Sequence, residues 1–296
     1  MKEHNDGIAV LSWLKQQKWF DGRLGMAGGS YLGYTQWAVA SDAGPMLKAM
    51  SPQITSSNFR SMVYPGDAFS LEVFIGWLAM IDTQEESTMK QSFSAIGGGK
   101  GRKIAAWHLP LVEIDKITTG KEYDFWRDWL THDQPKDDWW RPGDHSGTVS
   151  KITAPNHLIS GWHDFMLQGM MRDYNLLKEG GQTPYLTIGP WTHFDTGVAS
   201  VGSREAVIWL RAHLLGDRKS LRKSPVRVFV MGSKEWKEYS SWPPENVKYK
   251  YCYLQPEGRL SNELPKEFEP DHYRYDPSNP TPSVGGFRSM GQGRAS

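Results

Sequence analysis

The sequence predicts an α/β fold built on a parallel sheet, interrupted by a helical insertion and followed by an all-β segment. Three observations predict it. Strand, helix and strand succeed one another around residues 24–51 and again around residues 156–188, the grammar of parallel βαβ units. Between the two, residues 58–149 are helical in periodicity and show no convincing strand. After Gly216 the pattern shifts to short alternating runs punctuated by Pro, Gly and Asn.

Taken in order, Asp6 to Gln17 reads as a helix, with Val10, Leu11, Trp13 and Leu14 apolar and polar residues between them. The turn signal Trp19-Phe20-Asp21-Gly22 leads into a strand at Leu24 to Ala27. A helix follows over Thr35 to Ala40, and Gly44-Pro45 opens the next strand at Leu47 to Ser51. In the insertion, Ala68 to Ile81 and Lys90 to Ile96 are read as helices and Gly97 to Gly101 as a flexible loop. Glu122 to Leu130 puts Phe125, Trp126, Trp129 and Leu130 on one helical face. Asn156 to Ser160 is a strand after Pro155, Met166 to Lys178 a helix closed by Gly180-Gly181, Pro184 to Ile188 a strand, and Ala206 to Leu215 an amphipathic helix. Val226 to Met231 and Lys248 to Leu254 then alternate as strands of a second domain. The expected organisation is a sheet core formed by residues 1–57 and 150–217, a helical cap at 58–149, and the beginning of a β-sandwich at 218–296.

Composition narrows the function. The formal net charge is +1, and no Lys or Arg cluster is interleaved with aromatics, which argues against nucleic acid and anionic membranes as partners. No apolar run approaches the roughly 20 residues of a membrane span and no leader-type segment opens the chain, so a soluble, cytoplasmic protein is expected. The single cysteine, Cys252, rules out an internal disulfide and any cysteine-based metal site, and neither metal nor cofactor is called for. The 14 tryptophans are scattered, which favours core or cleft aromatics over a sugar-stacking surface.

The chemistry centres on Gly28-Gly29-Ser30-Tyr31-Leu32-Gly33. A serine on a sharp strand-to-helix turn flanked by small residues is a nucleophile elbow, the hallmark of an α/β-hydrolase sheet, although the second glycine of G-x-S-x-G falls one position late here. A purely structural glycine-rich turn or a phosphate-cradling loop are the alternatives. The stretch lacks the lysine of a P-loop and the G-x-G-x-x-G of a dinucleotide site. Serine is a weak nucleophile at its free pKa and needs an imidazole base oriented by a carboxylate. Two later strands end in the polar loops Gly161-Trp162-His163-Asp164 and Gly189-Pro190-Trp191-Thr192-His193, at the carboxyl edge where such sheets gather ligands and catalytic groups. Ser30, Asp164 and His193 thus fall in the chain order of this fold. Among nine histidines His163 is the competitor, read instead as a pocket wall, and Asp164 has the alternative of capping the helix that follows. The backbone N–H of Tyr31 is the candidate oxyanion donor; a second would come from a loop after an earlier strand, and no earlier strand is read in this chain.

With these residues in place, the sequence resembles the CocE/NonD family of serine hydrolases, the cocaine esterase and X-prolyl dipeptidyl-peptidase group. The resemblance rests on Trp19 to Met26 running into Gly28-Gly29-Ser30-Tyr31-Leu32-Gly33, then on the two loops ending in Asp164 and His193. Weaker echoes are Phe125 to Trp129, Val228 to Gly232 with Trp236 and Trp242, and Tyr275-Asp276-Pro277 with Pro280. It implies Ser30 as nucleophile, Asp164 as acid and His193 as base, a helical cap between elbow and acid, and a C-terminal jelly roll. The residue before the acid is often tyrosine in the family and is His163 here. The family pattern also begins with several sheet strands, one supplying a tyrosine hydroxyl to the oxyanion hole, and ends in a full β-sandwich. Against that pattern the chain is expected to be a central fragment whose elbow strand leaves an apolar sheet edge prone to aggregation.

The expected activity is hydrolysis of a small-molecule ester, amide or peptide through an acyl-enzyme on Ser30, with Trp162, His163, Trp191, Phe69 and Trp77 as candidate pocket walls. An X-Pro dipeptidyl-peptidase is the second enzymatic reading and needs an acidic site for a free amine, for which Asp67 and Glu72 are candidates. A catalytically silent fragment or binding module is the alternative from another class. Acyl specificity and oligomeric state are not encoded in any feature of the sequence.

Overall fold

The computed structural model describes residues 1–85, 104–266, 269–279 and 281. The expected helix at Lys90 to Ile96 and the loop at Gly97 to Gly101 lie outside the described residues. The strands are β1 (Leu24–Gly29), β2 (Leu47–Gln53), β3 (His157–Gly161), β4 (Tyr185–Gly189), β5 (Val226–Val230), β6 (Glu235–Tyr239), β7 (Tyr253–Gln255) and β8 (Arg259–Ser261). The longer helices are α1 (Glu3–Lys15), α2 (Tyr31–Ala43), α3 (Leu71–Asp82), α4 (Ile114–Thr119), α5 (Asp124–Thr131), α6 (Leu167–Glu179) and α7 (Thr196–Leu214).

The first six strands form one sheet in sequential order, β1 to β5 parallel and β6 antiparallel to β5. Strands covered on both faces read as near-continuous apolar runs, and β2 and β3 are buried along almost their whole length. The two faces separate by alternation. Leu158, Leu186, Ile188, Val226 and Val228 join Trp37, Val39, Met170 and Leu177 in a core under α1, α2 and α6. On the opposite face Ile159 meets Val198 of α7, and His157 packs on Trp209 of the same helix.

Three sequence expectations shift, and in the first, the run Lys248 to Leu254, only Tyr253 and Leu254 are strand, in β7. Helix α7 starts at Thr196, ten residues before the amphipathic stretch that announces it, because Asp195 caps it by accepting from the Gly197 N–H at 2.7 Å. Strand β5, expected to open a second domain, is hydrogen-bonded parallel to β4 and belongs to the central sheet. The reason is burial: alternation alone cannot tell a sandwich strand from a late sheet strand, and Val226 and Val228 are buried in the main core. The antiparallel pair β7 and β8 is consistent with the start of a β-sandwich.

The insertion has a core of its own. Trp126 and Trp129 of α5 pack with Phe74, Ile75 and Leu78 of α3 and with Ile114 of α4. Tyr34, although on α2 of the sheet core, is fully buried in this second cluster, and its hydroxyl donates to the Gly143 carbonyl at 3.1 Å. The elbow helix and the insertion therefore share a side chain.

Candidate active site

The site begins at the end of β1. Ser30 has φ 56° and ψ −125°, a left-handed conformation that costs a non-glycine residue on the order of 1–3 kcal/mol and is held here by its surroundings. Its N–H donates to the Gln53 carbonyl at the end of β2 at 2.9 Å, and its own carbonyl accepts from Gly33 and Tyr34 as α2 begins. The glycines explain the tightness of the turn. A Cβ on Gly28 would stand 2.8 Å from Leu32 Cβ, and one on Gly33 2.6 Å from Thr55 Cγ2 and 3.1 Å from the Gly28 carbonyl oxygen. The glycine that falls one position late in the motif is thus the one that lets α2 press against the chain leaving β2.

The other two groups arrive from neighbouring strand ends. Because β3 and β4 are parallel, Gly161 and Gly189 lie side by side at the same carboxyl edge. The loops beyond them are stitched together: Trp162 N–H donates to the Gly189 carbonyl at 2.9 Å and His163 N–H to the Trp191 carbonyl at 3.0 Å. This brings His193 Nδ1 to 2.8 Å from Asp164 Oδ2 and His193 Nε2 to 3.0 Å from Ser30 Oγ. Asp164 and His193 are only 4% and 2% exposed, so their contact is screened from water. A carboxylate can only accept, so the proton of this pair sits on Nδ1 and Nε2 is left to accept from the serine hydroxyl. The expected helix-capping alternative is not met: Asp164 Oδ1 accepts from the Met166 N–H at 2.6 Å, but Met166 itself holds the cap position of α6, which has no side-chain cap.

Tyr31 is the first residue of α2, and the leading N–H groups of a helix have no partner within it, so its N–H belongs to the helix end facing the serine. Its ring leans back to α1, the hydroxyl donating to Glu3 at 2.8 Å. Burial, reinforced by that carboxylate, raises the hydroxyl pKa above the usual tyrosine value.

The expected pocket aromatics have other partners. Trp162 donates its indole N–H to the Phe229 carbonyl at 2.6 Å and packs at the margin of the main core. Trp191 is buried against Trp236. Inside the insertion Phe69 stacks on Phe74 and meets Trp126 edge-on, and Trp77 stacks on Trp129 and meets Phe125 edge-on. Among the described residues, the rings that contact His193 are Phe165, at 4.6 Å, and Phe194, at 4.8 Å and edge-on. Their only signal in the sequence is that each adjoins a candidate catalytic residue. Phe194 is 50% exposed, an aromatic face beside the imidazole. Of the two acids considered for an amine site, Asp67 accepts from Arg60 Nη1 at 2.7 Å and Glu72 lies in the first turn of α3. No cluster able to hold a metal ion occurs among the described residues, and none of their helices is long and apolar enough to cross a membrane.

Known proteins share this fold. The model of the X-Pro dipeptidyl-peptidase (S15) family matches residues 1–195. Cocaine esterase of Rhodococcus sp. (strain MB1 Bresler) is 30% identical over 95% of this chain and 54% of its own length. Among solved structures, an aminopeptidase from a marine sediment Thaumarchaeota archaeon superposes with a TM-score of 0.66 at 21% identity, over 96% of this chain and 50% of the other. A CocE/NonD family hydrolase of Staphylococcus aureus gives 0.62 at 20%, over 88% and 42%. The chain spans about half the length of these relatives. Its fold is that of the α/β-hydrolases, and the chain belongs to the X-Pro dipeptidyl-peptidase (S15) family, in the CocE/NonD group of hydrolases.

Proposed function

We propose that this protein is a serine hydrolase that cleaves an ester or amide of a small acyl or peptidyl substrate through an acyl-enzyme on Ser30. The observation that carries the reading is the unbroken hydrogen-bonded series Ser30 Oγ, His193, Asp164, at 3.0 and 2.8 Å, on a serine in left-handed backbone conformation. His193 Nε2 takes the hydroxyl proton as Oγ attacks the substrate carbonyl, and Asp164 stabilises the imidazolium that forms. The Tyr31 N–H donates to the developing oxyanion. The imidazolium then protonates the leaving alcohol or amine. A water deprotonated by His193 attacks the acyl-enzyme and releases the carboxylic acid. The similarity to an enzyme named a cocaine esterase supports ester cleavage within this class.

The test is labelling of the folded chain with a fluorophosphonate, the adduct being located by mass spectrometry. Phosphonylation is expected at Ser30 and is expected to vanish in His193→Ala. A folded sample that takes no label, or that labels equally without His193, would sink the reading.

A further inference from the structure

A second polar concavity lies away from the serine. It has a volume of about 350 Å³ and opens between the segment that follows β2 and the first turns of α6, lined by Asn58, Arg60, Tyr64, Asp67, Gln168 and Arg172 among others. Neither Ser30, Asp164 nor His193 lines it.

Its walls offer donors. Arg60 is held in place: Nη1 bonds to Asp67 at 2.7 Å, Nη2 to the Asp133 carbonyl at 2.7 Å, and the guanidinium lies over the Tyr64 ring at 4.9 Å. Its charge is offset by Asp67. Arg172 is different. Among the described residues its guanidinium makes no hydrogen bond or ion pair. The adjacent Asp173 acts on it electrostatically but makes no hydrogen bond or ion pair with it, its oxygens accepting from Ser57 at 2.5 Å (Oγ) and 2.8 Å (N). Gln168 lies one turn before Arg172 on α6 and likewise has no bonded partner among the described residues. Asn58 uses its Oδ1 to accept from the Ser61 N–H at 2.8 Å, and its side-chain amide N–H groups have no bonded partner among the described residues. A guanidinium and two amides converge on one cavity with Tyr64, Pro65 and Pro135 as apolar wall.

We propose that this cavity binds a small organic anion, its carboxylate or phosphate group held by Arg172, Gln168 and Asn58 and its body against Tyr64 and the two prolines. An arginine fork matches either oxyanion. The volume falls at the lower end of the range of small-molecule sites and exceeds what an inorganic ion fills. The site does not depend on Ser30 chemistry.

Calorimetric titration of the full chain with benzoate and, separately, with inorganic phosphate tests it. Saturable binding of at least one anion is expected, with the same affinity in Ser30→Ala, about tenfold or more weaker in Arg172→Gln, and several-fold weaker in Gln168→Ala. Benzoate alone would point to a carboxylate ligand, phosphate alone to a phosphorylated one. Arg172 is exposed, so the melting temperature without ligand is expected to be unchanged in Arg172→Gln, which separates loss of the site from loss of the fold. Absence of saturable binding with both anions, or binding that survives Arg172→Gln, would overturn the proposal.

Discussion

At the scale of single residues, Asp164 is the position where two hydrogen bonds meet. One oxygen accepts from His193 Nδ1 and the other from the Met166 N–H, so the same side chain orients the imidazole and supports the start of α6. Asparagine in its place keeps the size and an acceptor but loses the charge that fixes the imidazole tautomer. Asp164→Asn is expected to lower kcat on a p-nitrophenyl ester by about 10³–10⁴-fold with little change in KM. Steady-state kinetics decides it, since a loss of less than tenfold would leave Asp164 with its bond to the Met166 N–H as its role. Phe165 and Phe194 carry no spacing signal of their own, and only the closeness of the strand ends puts them against His193.

At the scale of elements, the elbow and α6 each make a testable statement. Gly33 sits where α2 meets the buried Thr55, and an alanine methyl there would stand 2.6 Å from Thr55 Cγ2. Gly33→Ala is expected to destabilise the chain by about 1–3 kcal/mol, read from the urea midpoint at unchanged slope. Helix α6 is tied to the segment after β2 by Asp173. Burial raises that carboxyl to about 7 against the opposing effect of its Ser57 hydrogen bonds. In the unfolded chain it ionises near the ordinary value of 3.8, so the unfolded state binds fewer protons between there and about 7. Its contribution to stability is fully present below 3.8, falls as pH rises through about 7, and is flat above. Melting curves from pH 4 to 8 are expected to show that decline in the parent chain and a shallower one in Asp173→Asn. Identical slopes would mean that Asp173 titrates normally.

At the scale of the whole molecule, two hydrophobic cores meet through Tyr34. The ring is fully buried among insertion residues while its backbone belongs to the elbow helix. Tyr34→Ala is expected to cost about 3–5 kcal/mol, as for other large buried aromatics, whereas Tyr34→Phe keeps the ring and loses the hydroxyl's bonds to the Gly143 carbonyl and to His145 Nε2, about 1–2 kcal/mol. Because the ring links the two clusters, unfolding followed by tryptophan fluorescence and by far-ultraviolet circular dichroism should coincide in the parent chain and separate in Tyr34→Ala. Coincident curves in both would show that the cores are coupled elsewhere.

The sequence by itself determined the five parallel strands, most of the longer helices and the candidate catalytic residues, because all of these are local. Periodicity marks a strand or helix over a few residues, and Gly28-Gly29-Ser30 and the loops ending in Asp164 and His193 are short runs at strand ends. The tertiary structure decided what depends on residues far apart in the chain. It put β5 beside β4, joined Tyr34 to the insertion, gave the expected pocket tryptophans core partners, and brought Arg172 and Asn58 to the lining of one cavity. An alternating run reads the same in a sandwich or a sheet, and an aromatic reads the same in a wall or a core. Only the neighbours that fold against them distinguish the two.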